Sequence, residues 1–239
     1  MLGSGFSAGM GLPTLLGLFA ELMDQQNRPG DSDKEEVLNA LELLYPHFLK
    51  DVSPPSYPPF EEFLSLVTAA KELPFFDPSD LYWENKRLAA LRLLTDAMGR
   101  KCRETEKAPL LKHFVNKLQQ DDVIVTFNWD NLIERILYTS SLPFNFQGRS
   151  ENSIAILKLH GSLNWVEIPE GVALQDPKSV LHLDARIVCT RDYGYYDVWD
   201  VLNLPPYIIL PISSKQVPVG EFLKSIWMEA FSASLMLSV

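Results

Sequence analysis

The stretch that most limits what this chain can fold into is VIVTFNWDNLIER, residues 123–135. Val123, Ile124, Val125 and Thr126 follow the polar pair Asp121 and Asp122 without a charge among them. Such a β-branched run predicts a strand buried on both faces, the kind found in parallel sheets covered by helices. Leu132, Ile133, Ile136 and Leu137 then recur at helical spacing. Between strand and helix stand Asn128, Asp130 and Asn131, where an open α/β sheet places its ligand crevice. Two readings stay open for them. Short polar side chains cap helices well, and an amide with a carboxylate at a sheet's carboxyl edge also serves a small-molecule site.

The same pattern returns downstream. In IAILKLHGSLNWVEI, Ile154, Ile156, Leu157 and Leu159 predict a second buried strand, which His160, Gly161 and Ser162 end abruptly, again at a carboxyl end. A histidine beside a strand is most often a satisfied core residue. His160 differs in its setting, with Gly161 opening the backbone and Ser162 and Asn164 close by. LPFNF, residues 142–146, predicts a short strand, and Val180 to Cys189 a strand pair. YIILPI, residues 207–212, predicts a third buried strand, followed by a helix from Val219 to Phe231.

At the start, Gly3, Gly5, Gly9 and Gly11 lie within nine residues, ahead of an apolar helix expected from about Pro13 to Met23. Glycines before a helix let backbone N–H groups approach a phosphate, and the helix N-terminus favours the anion. Pro13 suits a first helical turn, and Ser7 or Thr14 adds a hydroxyl. A dinucleotide fingerprint also needs a strand before the glycines and an acid after the next strand, and only Met1 and Leu2 precede them. A plain flexible N-terminus is the alternative.

From about residue 30 to 120 the chain reads as a helical insertion. Val37, Leu38, Leu41, Leu44, Tyr45 and Phe48 make one apolar stripe, and Phe60, Phe63, Leu64 and Val67 another, with Glu61 and Glu62 in a first turn. A long helix over Leu81 to Arg100 and a shorter one from Pro109 to Leu118 complete it. Arg87, Arg92, Arg100, Lys101 and Arg103 alternate with acids, which is the pattern of a solvated surface. Tyr193, Tyr195, Tyr196 and Trp199 read as packing for a flap.

The whole chain of 239 residues is long enough to bury a sizeable core, and 46% hydrophobic with 22% charged residues is a globular composition. A formal charge of -10 argues against a nucleic-acid backbone as partner. Cys102 and Cys189 lie apart, so no four-ligand zinc site can be drawn and no metal is expected. No apolar run is long enough for a membrane span. A soluble protein of a reducing cytoplasm is the expectation.

Three separated stretches resemble one family. GSGFSAGMGLPT resembles the glycine-rich opening of the sirtuin-like, silent-information-regulator-type NAD-binding proteins, TFNWD their Asn-aromatic-Asp stretch, and KLHGSLNW their Leu-His-Gly stretch. The subgroup most similar is the bacterial one of NAD-hydrolysing domains in anti-phage defence, which FEEFLSLV, ILPISSK and IWMEAF also resemble. The resemblance implies one α/β domain over residues 1–239, a Rossmann-like parallel sheet flanked by helices and carrying the helical insertion. It implies a phosphate loop at Gly3, Ser4, Gly5 and Ser7 with Pro13 and Thr14 at the helix entry. Asn128 falls on the amide beside the nicotinamide ribose, Asp130 on the acid after it, and His160 on the catalytic imidazole, with Gly161 and Ser162 adjoining. Two family features are missing, the strand before the glycines and a late strand with a Gly-Tyr-Ser-like loop. A chain truncated at both ends is therefore expected.

The function so implied is NAD hydrolysis to nicotinamide and ADP-ribose, with NAD as substrate. Lack of a four-cysteine zinc module tilts the balance from protein deacylation to NAD cleavage. The alternatives are a module that senses NAD or an ADP-ribose derivative without cleaving it, a degenerate fragment acting through protein contacts, and, less favoured, an NAD-dependent deacylase. An uncontrolled hydrolase would empty a cell of NAD, so control by homo-oligomerisation or by a separate sensor protein is implied.

Overall fold

The computed structural model describes residues 1–23, 31–45, 57–70, 80–105, 108–171, 180–190, 204–209 and 220–236. In chain order the helices are α1 (Ser4–Gly9), α2 (Leu15–Met23), α3 (Asp31–Leu44), α4 (Phe60–Ala70), α5 (Asp80–Thr105), α6 (Pro109–Val115), α7 (Leu132–Thr139) and α8 (Glu221–Met236). The strands are β1 (Val123–Thr126), β2 (Phe144–Asn145), β3 (Ile154–Lys158), β4 (Gly161–Ser162), β5 (Trp165–Glu167), β6 (Val180–His182), β7 (Ile187–Thr190) and β8 (Tyr207–Ile208). The described residues group into two compact units. One draws on residues 1–12, 98–209 and 216–239, the other on residues 13–97.

The first unit is α/β. Its main sheet is parallel, in the order β1-β3-β2, with Thr126 opposite Lys158 and Asn145 opposite Ala155. All five residues of β3 are buried, as a central parallel strand requires. Leu2 holds one further parallel rung on the outer side of β1. Its N–H donates to the Val125 carbonyl at 2.7 Å, and its carbonyl accepts from the Phe127 N–H at 3.4 Å. Ahead of the glycines, where no strand was expected, the structure has this single bridge and no strand. Ile124, Leu132, Ile136, Ile156, Leu157 and, from α8, Phe222, Leu223 and Ile226 form the core. Each such side chain contributes about 1.5–3 kcal/mol on burial.

Two small antiparallel sheets extend this unit, β4 with β8 and the order β5-β7-β6. The strand pair expected over Val180 to Cys189 is present as β6 and β7. The third buried strand expected from Tyr207 is different. It has two half-buried residues and pairs antiparallel with β4, outside the parallel sheet. An apolar run without alternation fixes burial but not partner or direction, which is why it misled. Residues 210–215 and the aromatic group Tyr193 to Trp199 lie outside the described residues.

The second unit is helical. Phe19 of α2 is fully buried against Phe60 and Phe63 of α4, with ring centroids 5.7 and 5.0 Å away. Both meet it edge to face, the favoured geometry for rings. Lys86 on α5 reaches Glu36 on α3 at 2.7 Å, and Arg92 forks onto Asp33. The basic residues of α5 were expected on a solvated face, but Arg87, Arg92, Arg100, Lys101 and Arg103 are all partly buried, with Arg92 tied to α3. Among the described residues no helix is long and apolar enough to cross a membrane.

Candidate functional site at the carboxyl edge of the parallel sheet

Parallel strands deliver their following loops to one edge, and β1 and β3 are neighbours in register. Asn128 stands two residues beyond Thr126 and His160 two residues beyond Lys158, the rung partner of Thr126. The Leu159 N–H donates to the Thr126 carbonyl at 2.9 Å and carries the pairing one step further. The amide and the imidazole therefore leave the same edge of the same sheet from adjacent strands. The Phe127 ring lies beside the imidazole, its centroid 5.3 Å from that of His160.

The orientation of Asn128 follows from proton counting. Its Nδ2 lies 2.7 Å from Ser7 Oγ and 3.1 Å from the Gly3 carbonyl. Ser7 Oγ in turn lies 2.8 Å from Asp130 Oδ2. A hydroxyl has one proton to give, and an ionised carboxylate only accepts, so Ser7 donates to Asp130 and must accept from Asn128. The Gly3 carbonyl, which also accepts the Phe6 N–H at 2.9 Å, can only accept, so it too faces an N–H of the amide. Both N–H bonds of the Asn128 amide are then used, and Oδ1 is left as the group's remaining acceptor.

Asp130 has a second duty. It is 6% exposed, and its Oδ1 accepts the Leu132 N–H at 3.1 Å at the start of α7. Capping, one of the two readings for this segment, thus describes Asp130 but not Asn128, whose amide reaches 125 residues back to the N-terminal turn. Asn131, at the cap position itself, makes no side-chain capping bond.

His160 is half-buried between aromatic rings. Besides Phe127 it meets Trp227 of α8 at 6.4 Å, and the Trp227 indole N–H donates to the Leu159 carbonyl at 3.0 Å. Burial lowers the imidazole pKa below its ordinary value near 6.5. A ring held neutral in this way can accept a proton at pH 7.

The glycine-rich turn divides by exposure. Gly3, Ser4 and Gly5 are exposed, and a Cβ added at Gly3 or Gly5 would meet nothing within 4 Å. Open backbone therefore faces outward there. Gly5 and Gly9 lie inside the short helix α1, whereas an open loop is the expectation before a helix at Pro13. Ser7 is 4% exposed, with its hydroxyl committed to Asn128 and Asp130. Gly161 and Ser162 are buried too. Gly161 has φ +77°, and a Cβ there would lie 2.1 Å from the Tyr207 carbonyl oxygen. Ser162 Oγ lies 2.6 Å from Asn164 Oδ1 and 3.3 Å from the Trp129 carbonyl. The polar groups of Ser7 and Ser162 thus face protein and frame the edge. Pro13 and Thr14 belong to the second unit, where Thr14 Oγ1 accepts the Gly17 N–H at 3.4 Å in α2.

Two residues escaped sequence reasoning. Lys158, fully buried in β3, places Nζ 2.7 Å from Glu134 Oε1, itself 1% exposed, and also bonds the Asp130 carbonyl. The signal was present as the single charge inside IAILKL. Among the described residues no three metal-ligating side chains gather. No protein-family model matches this chain, and no curated protein matches it.

Proposed function

We propose that this chain is a sirtuin-like NAD hydrolase of the bacterial anti-phage defence type, with Asn128 and His160 as its reacting pair. The observation that carries the reading is the Asn128 amide locked by Ser7 and Gly3, on the sheet edge it shares with a half-buried, neutral His160. The parallel bridge at Leu2, the glycine turn after it and the neighbouring strands β1 and β3 support the Rossmann-like arrangement in which a dinucleotide lies across the carboxyl edge.

The chemistry follows from the groups. NAD carries a positively charged nicotinamide, so breaking its bond to ribose returns the electron pair to the ring nitrogen and leaves neutral nicotinamide. The ribose carbon becomes oxocarbenium-like and is attacked by water. Asn128 Oδ1, the amide's remaining acceptor, holds that water by one of its hydrogens and turns its oxygen toward the sugar. His160 accepts a proton from a ribose hydroxyl and so offsets the developing charge; the attacking water then gives its proton to that ribose oxygen, and His160 releases the proton it took. The products are nicotinamide, ADP-ribose and one proton. Exposed backbone at Gly3 to Gly5 is where the diphosphate approaches.

Incubation of the protein with NAD, followed by chromatography, tests this. Nicotinamide and ADP-ribose in equal amounts are expected. Nucleotide binding in a calorimeter with no product would replace the hydrolase by a sensing module. Release of acyl groups from an acylated peptide would replace it by a deacylase.

A further inference from the structure

Beneath the proposed site lies an ion pair that neither bulk stability nor the proposed chemistry requires. Lys158 is fully buried on the central strand, and Glu134 is buried in the first turn of α7. Removing both charges from water costs several kcal/mol each, and well-packed apolar side chains of like volume commonly do as well or better. The carboxyl of Glu134 is pushed up by burial, against the pull of the ammonium. What the pair does that an apolar pair could not is visible in its hydrogen bonds. An ammonium has three protons to donate. Those of Lys158 go to Glu134 Oε1 at 2.7 Å, to the Asp130 carbonyl, and toward the Trp129 carbonyl at 3.4 Å.

Those two carbonyls belong to residues 127–131, which are neither helix nor strand. Buried backbone acceptors outside regular structure need a donor. The Trp129 carbonyl also accepts the Leu163 N–H at 2.9 Å, whereas the one Ser162 hydroxyl proton goes to Asn164 Oδ1 at 2.6 Å. Residues 129–130 are thereby held by Lys158 of β3 and by Leu163 just after β4. Asn128 and Asp130 are pinned from above through Ser7. The direction of Asn128 Oδ1 is set by both.

We propose that Lys158 and Glu134 act as a positioning pair, holding the backbone at Trp129 and Asp130 so that the Asn128 amide keeps its direction. This rests on the proposed function only for its kinetic consequence. The test is the double variant Lys158→Met with Glu134→Leu in the whole chain, because it removes both charges together and leaves neither stranded. Its thermal midpoint is expected within a few degrees of the wild type. Its kcat for NAD is expected to fall about 10- to 100-fold with KM changed less than threefold, the pattern of a misplaced reacting group. The ¹⁵N side-chain amide resonance of Asn128, assigned by its loss in Asn128→Asp, is expected to shift and to exchange at least about tenfold faster. A folded double variant with unchanged kcat, or with that resonance unmoved, overturns the proposal. If the wild type neither binds nor cleaves NAD, the hydrolase reading fails alone, and the resonance still decides the positioning role. Should the double variant not fold, Lys158→Met with Glu134→Gln, which likewise removes both charges and the ammonium's bonds to the two carbonyls, supplies the same two readouts.

Discussion

Single side chains carry the chemistry, and Ser7 links two of them, Asn128 and Asp130. Replacing it by alanine strips Asp130 of a donor and Asn128 of an acceptor in one step. Loss of two buried hydrogen bonds is expected to cost about 1–3 kcal/mol in a denaturant titration, together with a fall in kcat of about tenfold or more as the amide turns. Unchanged activity in Ser7→Ala would mean that the Asn128 direction is irrelevant. His160 supplies a pH signature. A base must be neutral, and burial lowers its pKa from 6.5 in the free protein, so the acid limb of kcat/KM against pH lies below 6.5. An acid limb above 6.5 would assign the proton to another group. The same shift makes a stability claim of definite sign. Because the folded pKa is the lower one, the stability conferred by the neutral ring is complete above the unfolded value. It is lost as pH falls from 6.5 toward the folded value. The thermal midpoint of the wild type should therefore drop relative to His160→Gln across that window. At this scale Asn128, Asp130 and His160 were legible, because polar residues directly after apolar runs stand out. Lys158 was not, since a charge inside an apolar run reads as noise until its partner on a helix 24 residues earlier is seen.

At the scale of elements, the glycines of α1 and β4 look alike in sequence and differ in physics. Gly161→Ala forces a Cβ onto the Tyr207 carbonyl at a positive φ, and an equilibrium unfolding measurement should show a loss of about 2–4 kcal/mol. Gly5 sits in a helix with open space around its missing Cβ. Alanine there should stabilise the free protein by about 0.5–1 kcal/mol, as glycine costs entropy in a helix. If the diphosphate comes close to this backbone, Gly5→Ala should also weaken NAD binding about tenfold or more. A stabilised variant with undiminished affinity would move the phosphates elsewhere. Element types were well marked in this chain wherever the apolar period was long, as in α4 and α5. Partners were not. The short strand β2 and a strand from Tyr207 were expected, but β4 owes its existence to β8, distant in sequence, and the bridge at Leu2 to β1.

Across the whole molecule, the division into an α/β unit and a helical unit follows composition in order. Residues 13–97 hold helices with one apolar stripe each, and the β-branched runs come after them. The core of each unit is built from its own residues, Phe19, Phe60 and Phe63 in one and the parallel sheet with α8 in the other. A ligand that binds only the folded form should raise its stability by about 2.7 kcal/mol at a hundredfold excess over Kd. NAD is expected to do so, through the unit that holds Asn128 and His160. The most direct measurement is nicotinamide release from NAD by the wild type, Asn128→Ala and His160→Ala, each first shown to unfold cooperatively. Turnover by the wild type, reduced at least about a hundredfold in both variants, is the predicted result. Release that persists undiminished in either variant, or its absence in the folded wild type, would contradict the assignment of this sheet edge as an NAD-cleaving site.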